Sequence, residues 1–140
     1  MPVKPAIIPC LRYADAPAAI RFLCDAFGFG AHADYRNEQE PNVVEHAQLV
    51  LNGNMIMLSS NRDNDYSRKA GLTSVAEAGG NTQSIYVVID DVDGHADRAR
   101  AAGADIFLAP EDQDYGGRVY SARDSEGHVW SFGSYDPWAE

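Results

Sequence analysis

Hydrophobic and polar positions divide the chain into two stretches that repeat one order of elements. Ala6 to Tyr13 is a β-rich run behind a proline-punctuated start. Asp15 follows as an N-cap, with Pro17 just inside the start of a helix. Ala16, Ile20, Leu23 and Phe27 then recur at helical spacing until Gly28 ends the pattern. Gly30 to Arg36 reads as a strand, and a charged loop runs from Asn37 to Asn42. Val43 to Leu51 and Asn54 to Ser60 flank Asn52-Gly53, the strongest short hairpin signal. In this register Gln48 faces Met57 and His46 faces Ser59. The first unit, residues 6–60, is therefore β-α-β-β-β.

The second unit, residues 82–136, has the same order. Gln83 to Asp90 is rich in Ile, Val and Tyr, and Asp91 to Ala102 is an alanine-rich helix closed by Gly103. Asp105 to Leu108 is a strand. Gly117 to Arg123 and His128 to Tyr135 form a hairpin around Asp124-Ser125-Glu126-Gly127. Overlaying the units aligns Asp15 with Asp91 and Met57 with Ser131, a repeat of pattern and not of identity. Residues 61–81 connect them. A connection of this length is either a linker or a flap over a cavity, with Tyr66 and Leu72 as its apolar contacts.

Composition narrows the partners. With 140 residues the chain has the size of one domain, 1–140. The 21 acidic residues against 11 Lys and Arg give a net charge of −10. That balance argues against nucleic acid and against an anionic membrane surface. No apolar run has the length of a membrane span, and the Met-Pro-Val-Lys-Pro start lacks a secretory h-region. Cys10 and Cys24 are too few for a disulfide framework. The expected location is the cytoplasm.

Several segments resemble one family. Leu11-Arg12-Tyr13-Ala14-Asp15, Phe22 to Phe29, Ala99 to Ala104 and Asp124 to Phe132 stand in the order of conserved stretches of the vicinal oxygen chelate superfamily. That superfamily includes glyoxalase I, extradiol dioxygenases and fosfomycin- and bleomycin-resistance proteins. The resemblance implies an α+β fold in which tandem βαβββ units form a curved, cup-like mixed sheet with helices on the convex side. It also implies a homodimer with sites near the interface.

Metal-dependent relatives place their ligands at four positions of the cup. The matching residues in this chain are Ile8, Met57, Ser84 and Ser131. A thioether, two hydroxyls and an alkyl chain do not make a site for Zn, Ni, Fe or Mn. The expectation is therefore no metal and no cofactor. The resemblance supplies the fold and withdraws the usual Lewis-acid or redox reaction.

Strand parity selects the rest of the concave wall. Cys10 and Arg12 share one face of the first strand with Ile8. His46, Gln48, Met55, Met57 and Ser59 line the hairpin, and Ser84, Tyr86, Tyr120 and Ser131 line the second unit. His46 is a hydrogen-bond donor, a general base or a rim histidine; Tyr86 is the other acid–base candidate. Cys10 is read first as a small buried residue. Cys24, Trp130 and Phe132 are read as core, and His95 and His128 as solvated. Trp138 either packs across a subunit interface or projects freely.

Two functions follow, beside a third reading in which the cup is filled and the domain acts only through its surface. The first is a metal-free protein of the bleomycin-resistance type, sequestering an amphipathic or cationic small molecule. An acidic rim at Glu111 to Asp114 and a Met/Tyr wall suit such a guest. The second is a lyase, isomerase or dioxygenase of the same superfamily, with a relocated metal or a metal-free acid–base site around His46.

Overall fold

The computed structural model describes residues 2–139. Strand β1 (Cys10–Tyr13) leads to helix α1 (Ala16–Phe27), then strands β2 (Gly30–Arg36), β3 (Val44–Leu51) and β4 (Asn54–Ser60). Short helices α2 (Asp65–Ala70) and α3 (Val75–Ala78) occupy the connection. The second unit is β5 (Ser84–Val88), α4 (Val92–Ala101), β6 (Asp105–Asp112), β7 (Arg118–Arg123) and β8 (Val129–Gly133). The two sheets have equivalent orders, β1-β4-β3-β2 and β5-β8-β7-β6, with β1 and β5 parallel to β4 and β8. The repeat read from the sequence is thus a repeat of topology. No helix among the described residues is long and apolar enough to cross a membrane.

Local chemistry explains both long helices. The Asp15 side chain accepts from the Ala18 amide, and Gly28 at φ 87° ends α1 by donating to Cys24 O, while Phe29 donates to Leu23 O. Ala16, Ala19, Ile20, Leu23, Ala26 and Phe27 form its buried stripe. Each fully buried large side chain among them contributes roughly 2–3 kcal/mol. Helix α4 starts from Asp91, which accepts from Gly94 N, and buries only Val92, Ala96 and Ala99. Those small residues let α4 lie close against α1.

Both helices pack on the inner sides of the sheets, and one core joins the two units. Phe27 of α1 lies 5.4 Å from Trp130 and 4.7 Å from Phe132 between ring centroids. Leu11, Tyr13, Leu49, Ile56 and Leu58 line the first sheet's inner face, and Tyr120, Ala122, Trp130 and Phe132 the second's. Trp130 and Phe132 are core, as expected. The faces that the helices leave uncovered therefore point away from the shared core, one on each sheet.

The connecting segment folds locally. Asn64 and Ser67 make a reciprocal capping box at α2, and Ser74 caps α3. Arg12 donates through Nε to Asn61 Oδ1 and through Nη2 to Arg62 O; Asn61 Nδ2 donates in turn to Glu77 Oε1. Asn81 donates to Gly127 O. The segment is thus tied to both units. Tyr66 remains 70% exposed, so it covers nothing within the chain. Leu72 borders a cavity of about 220 Å³ with Asn61, Ser67, Thr73 and Glu77.

Candidate functional site

Register assigns the outer faces. In the first sheet Cys10, Met57 and Gln48 lie on one rung, and Arg12 and Ser59 on the next. Asn52 at φ 50° and Gly53 at φ 79° make the two-residue turn that sets this pairing. His46, one step along β3, faces the same way, and Tyr35 stacks on its ring at 6.3 Å. Met55, Met57, Ser59, His46 and Gln48 are all half-buried. The register expected for the hairpin, with Gln48 opposite Met57, puts these five side chains on one face.

In the second sheet Tyr86, Ser131, Ser121 and Leu108 share a rung. The Ser121 and Ser131 hydroxyls lie 2.7 Å apart and satisfy one another. Ser84 and Tyr86 are exposed on the same face. Ser121 is a wall residue that the sequence reading missed.

Tyr120 is the corresponding correction. It pairs with Phe132, is fully buried on the helix side, and stacks on Phe132 at 5.3 Å. A four-residue turn at 124–127 would pair it with Ser131 and turn it outward. The loop instead runs through His128, because Asp124 Oδ1 accepts from both Glu126 N and His128 N. One extra loop residue moves every side chain of β7 to the opposite face. Tyr120 therefore leaves the candidate site.

Three further expectations change. Cys10 is exposed on an edge strand, not a small buried residue. His95 is not solvated: its Nε2 lies 2.9 Å from Phe27 O and its Nδ1 2.5 Å from the Tyr120 hydroxyl. His128 is half-buried, with Nε2 2.9 Å from Arg12 O and its ring edge-on to Tyr13. Histidine spacing along the chain carried no signal of these partners: Phe27 and Arg12 come from the other unit, and Tyr120 from strand β7 of the same one.

The outer-face groups are poorly arranged for acid–base work. Gln48 Nε2 lies 3.0 Å from His46 Nε2, so the amide donates and the ring nitrogen accepts. The Tyr86 hydroxyl donates to Tyr135 O at 2.6 Å, and burial beside Tyr115 and Asp136 pushes its phenol up. Arg12 is half-buried, with its guanidinium engaged by Asn61 and Arg62.

Metal chemistry fares no better on these donors. Met57 belongs to the first sheet's outer face and Ser84 and Ser131 to the second's, while Ile8 lies just ahead of β1. None offers imidazole, thiolate or carboxylate. Among the described residues no group of three or more His, Cys, Asp or Glu side chains could hold an ion. The donor set does not fit the metal that the fold implies.

The model of the Glyoxalase/Bleomycin resistance protein/Dioxygenase superfamily matches residues 7–132. The chain belongs to this superfamily. Uncharacterized proteins of Mycobacterium bovis and of Mycobacterium tuberculosis strain H37Rv are each 35% identical to it over 133 residues. The match covers 94% of this chain in both cases, with 84% of the first protein and 75% of the second. Among solved structures, TioX from Micromonospora sp. ML1 has a TM-score of 0.71 at 30% identity, over 97% of this chain and 100% of that one. The fosfomycin resistance protein FosX from Listeria monocytogenes, solved with Mn(II) and sulfate, has a TM-score of 0.66 at 13% identity. That comparison covers 96% of this chain and 95% of FosX and is a likeness of fold.

Proposed function

We propose that this superfamily member is a metal-free, cytoplasmic binding protein that sequesters an amphipathic or cationic small molecule. The observation that carries the reading is the makeup of the outer faces. Met57, Ser84 and Ser131 stand there at the family's ligand positions, with Ile8 at the fourth just ahead of β1, set among Met55, Gln48, Tyr86 and Leu108. Such a wall is adaptable and partly aromatic, suited to packing an organic guest. Binding alone needs no base, nucleophile or Lewis acid. The hydrogen bonds that occupy His46 and Tyr86 favour it over proton transfer.

A homodimer completes the proposal. Each chain turns its two faces apart, so a cup forms when the first sheet of one copy meets the second sheet of the other. A twofold axis repeats that meeting and closes two equivalent cups. Tyr86, Val88 and Leu108, 42–59% exposed in the single chain, support this pairing.

The test is elemental analysis and native mass spectrometry of protein purified without added metal or chelator. Metal well below one equivalent, with dimers that carry a small molecule released unchanged, is the expected result. Near-stoichiometric Zn, Ni, Fe or Mn would overturn it.

A further inference from the structure

Tyr86 does not stand clear of the sheet that carries it. A Cβ placed on Gly133 would fall 2.7 Å from the Tyr86 hydroxyl oxygen and 3.1 Å from its Cε1. The phenol ring therefore lies across the adjacent strand β8, in the space that Gly133 leaves free. Its hydroxyl is tethered to Tyr135 O at 2.6 Å, yet the residue stays 42% exposed. A pinned edge and an open remainder leave the ring, not the hydroxyl, as the group a guest can reach.

A second glycine fixes the tether. Gly117, at φ 80°, has no Cβ to strike the backbone nitrogen of Tyr135, which would lie 2.8 Å away. Tyr115 meets the Tyr135 ring edge-on at 5.2 Å and 85°. Tyr86, Tyr115 and Tyr135 thus form an aromatic ledge on two close backbone approaches. The cation of this edge, Arg118, is held by Asp93 and Asp112 at 3.0 and 3.2 Å. Asp136, whose charge helps raise the Tyr86 phenol, accepts the Trp138 amide at Oδ1 and has no cationic partner among the described residues, in a chain of net charge −10.

We infer that Gly133 is a specificity-determining position: by laying Tyr86 flat it makes the second sheet present an aromatic face beside carboxylate charge, which takes a planar cationic group. The ligand is then recognised by stacking and by cation–π attraction, and the phenol hydroxyl contributes tethering alone. A standing tyrosine would offer a donor and exclude a flat guest from the floor. This inference rests on the proposed binding role and adds to it the class of ligand and the residue that selects it.

The test is titration of the full chain with a planar cationic acridine dye. Its uncharged planar analogue and a non-planar quaternary ammonium of similar size are the comparisons, and sedimentation follows the subunit count. The wild type is expected to bind the acridinium best. Tyr86→Leu and Gly133→Ala should each weaken it about tenfold, while Tyr86→Phe, which keeps the ring, stays within about threefold. Tyr86 is exposed, so its two variants report even where Gly133→Ala fails to fold. Loss in Tyr86→Phe equal to that in Tyr86→Leu would make the hydroxyl the recognition group and overturn the inference. So would unchanged binding in a folded Gly133→Ala. Preference for the non-planar cation would overturn it while leaving the binding role intact, as would Tyr86→Leu abolishing the dimer without affecting dye binding. No binding of any probe overturns the ligand class, and the native mass spectrum then judges the binding role separately.

Discussion

The Tyr13 hydroxyl donates to Asp124 Oδ2 at 2.6 Å, joining the first strand of one unit to the last hairpin of the other. The same carboxylate oxygen accepts from Trp130 Nε1 at 3.0 Å, and Oδ1 takes the Glu126 and His128 amides. One buried acid thus satisfies two core aromatics and shapes the β7–β8 loop. Burial, reinforced by Asp124, holds the Tyr13 phenol well above its usual range, so it remains a donor. Asp124→Ala strands several donors at once and should cost about 3 kcal/mol; Tyr13→Phe, which removes one, about 1 kcal/mol. Urea unfolding followed by tryptophan fluorescence measures both.

Helix α1 is held at both ends by the other unit. Glu126 accepts the Ala14 and Asp15 amides at 2.6 and 2.7 Å, a carboxylate at the positive end of the helix. Arg98 donates to Cys24 O and Asp25 O at 3.0 and 2.9 Å, a cation at the negative end. Glu126→Gln and Arg98→Ala should each lower stability by about 1 kcal/mol. The sites are separated by a helix of roughly 18 Å, so the double variant should show the sum. A strongly non-additive unfolding free energy would show that the ends are coupled.

His95 makes the same junction pH-sensitive. Phe27 O can only accept, so Nε2 carries the proton and Nδ1 accepts from Tyr120. Burial holds the Tyr120 phenol well above its usual range, and it keeps the proton it donates. Burial first, then Arg98, lowers the His95 pKa, against a raising effect of Phe27 O and Asp91. A histidine depressed in the fold binds its proton more readily when unfolded. Its contribution is therefore full above the unfolded value of about 6.5 and is lost as pH falls through the folded one. The midpoint of urea unfolding should drop between pH 7.5 and 5.5, and His95→Gln should flatten that drop. An unchanged slope would remove His95 from the account.

How far the sequence reached depends on what fixed each register. Asn52-Gly53 permits one tight turn, so the placing of Gln48 opposite Met57 could be read without coordinates. The loop after Arg123 has no such constraint. Its length is set by Asp124 capturing two amides, and a one-residue difference turned Tyr120 inward and Ser121 outward. Helices α2 and α3 escaped notice because they are short and held by polar caps at Asn64 and Ser74, without a hydrophobic period. Phe27 and Arg12, the cross-unit partners of His95 and His128, were out of reach for another reason: they lie 68 and 116 residues away along the chain. Periodicity reports which face is buried, not which unit buries it.

Restoring the missing donors tests how the outer faces meet. Met57→Glu places a carboxylate on the first sheet's face and Ile8→His an imidazole just ahead of β1, at that sheet's edge strand; Ser84→His and Ser131→Glu place such a pair on the second's. Within one chain these pairs lie on faces turned apart, so each offers two donors, too few for a tetrahedral ion. In the proposed dimer each cup would combine both pairs. The quadruple variant should therefore bind about one Zn per subunit, against none for the wild type, and lose it on dilution below the dimer's dissociation range. Each pair alone should bind weakly. Elemental analysis after gel filtration at two concentrations reads the outcome, and tight Zn retained by a monomer would show that the two faces of one chain close on each other.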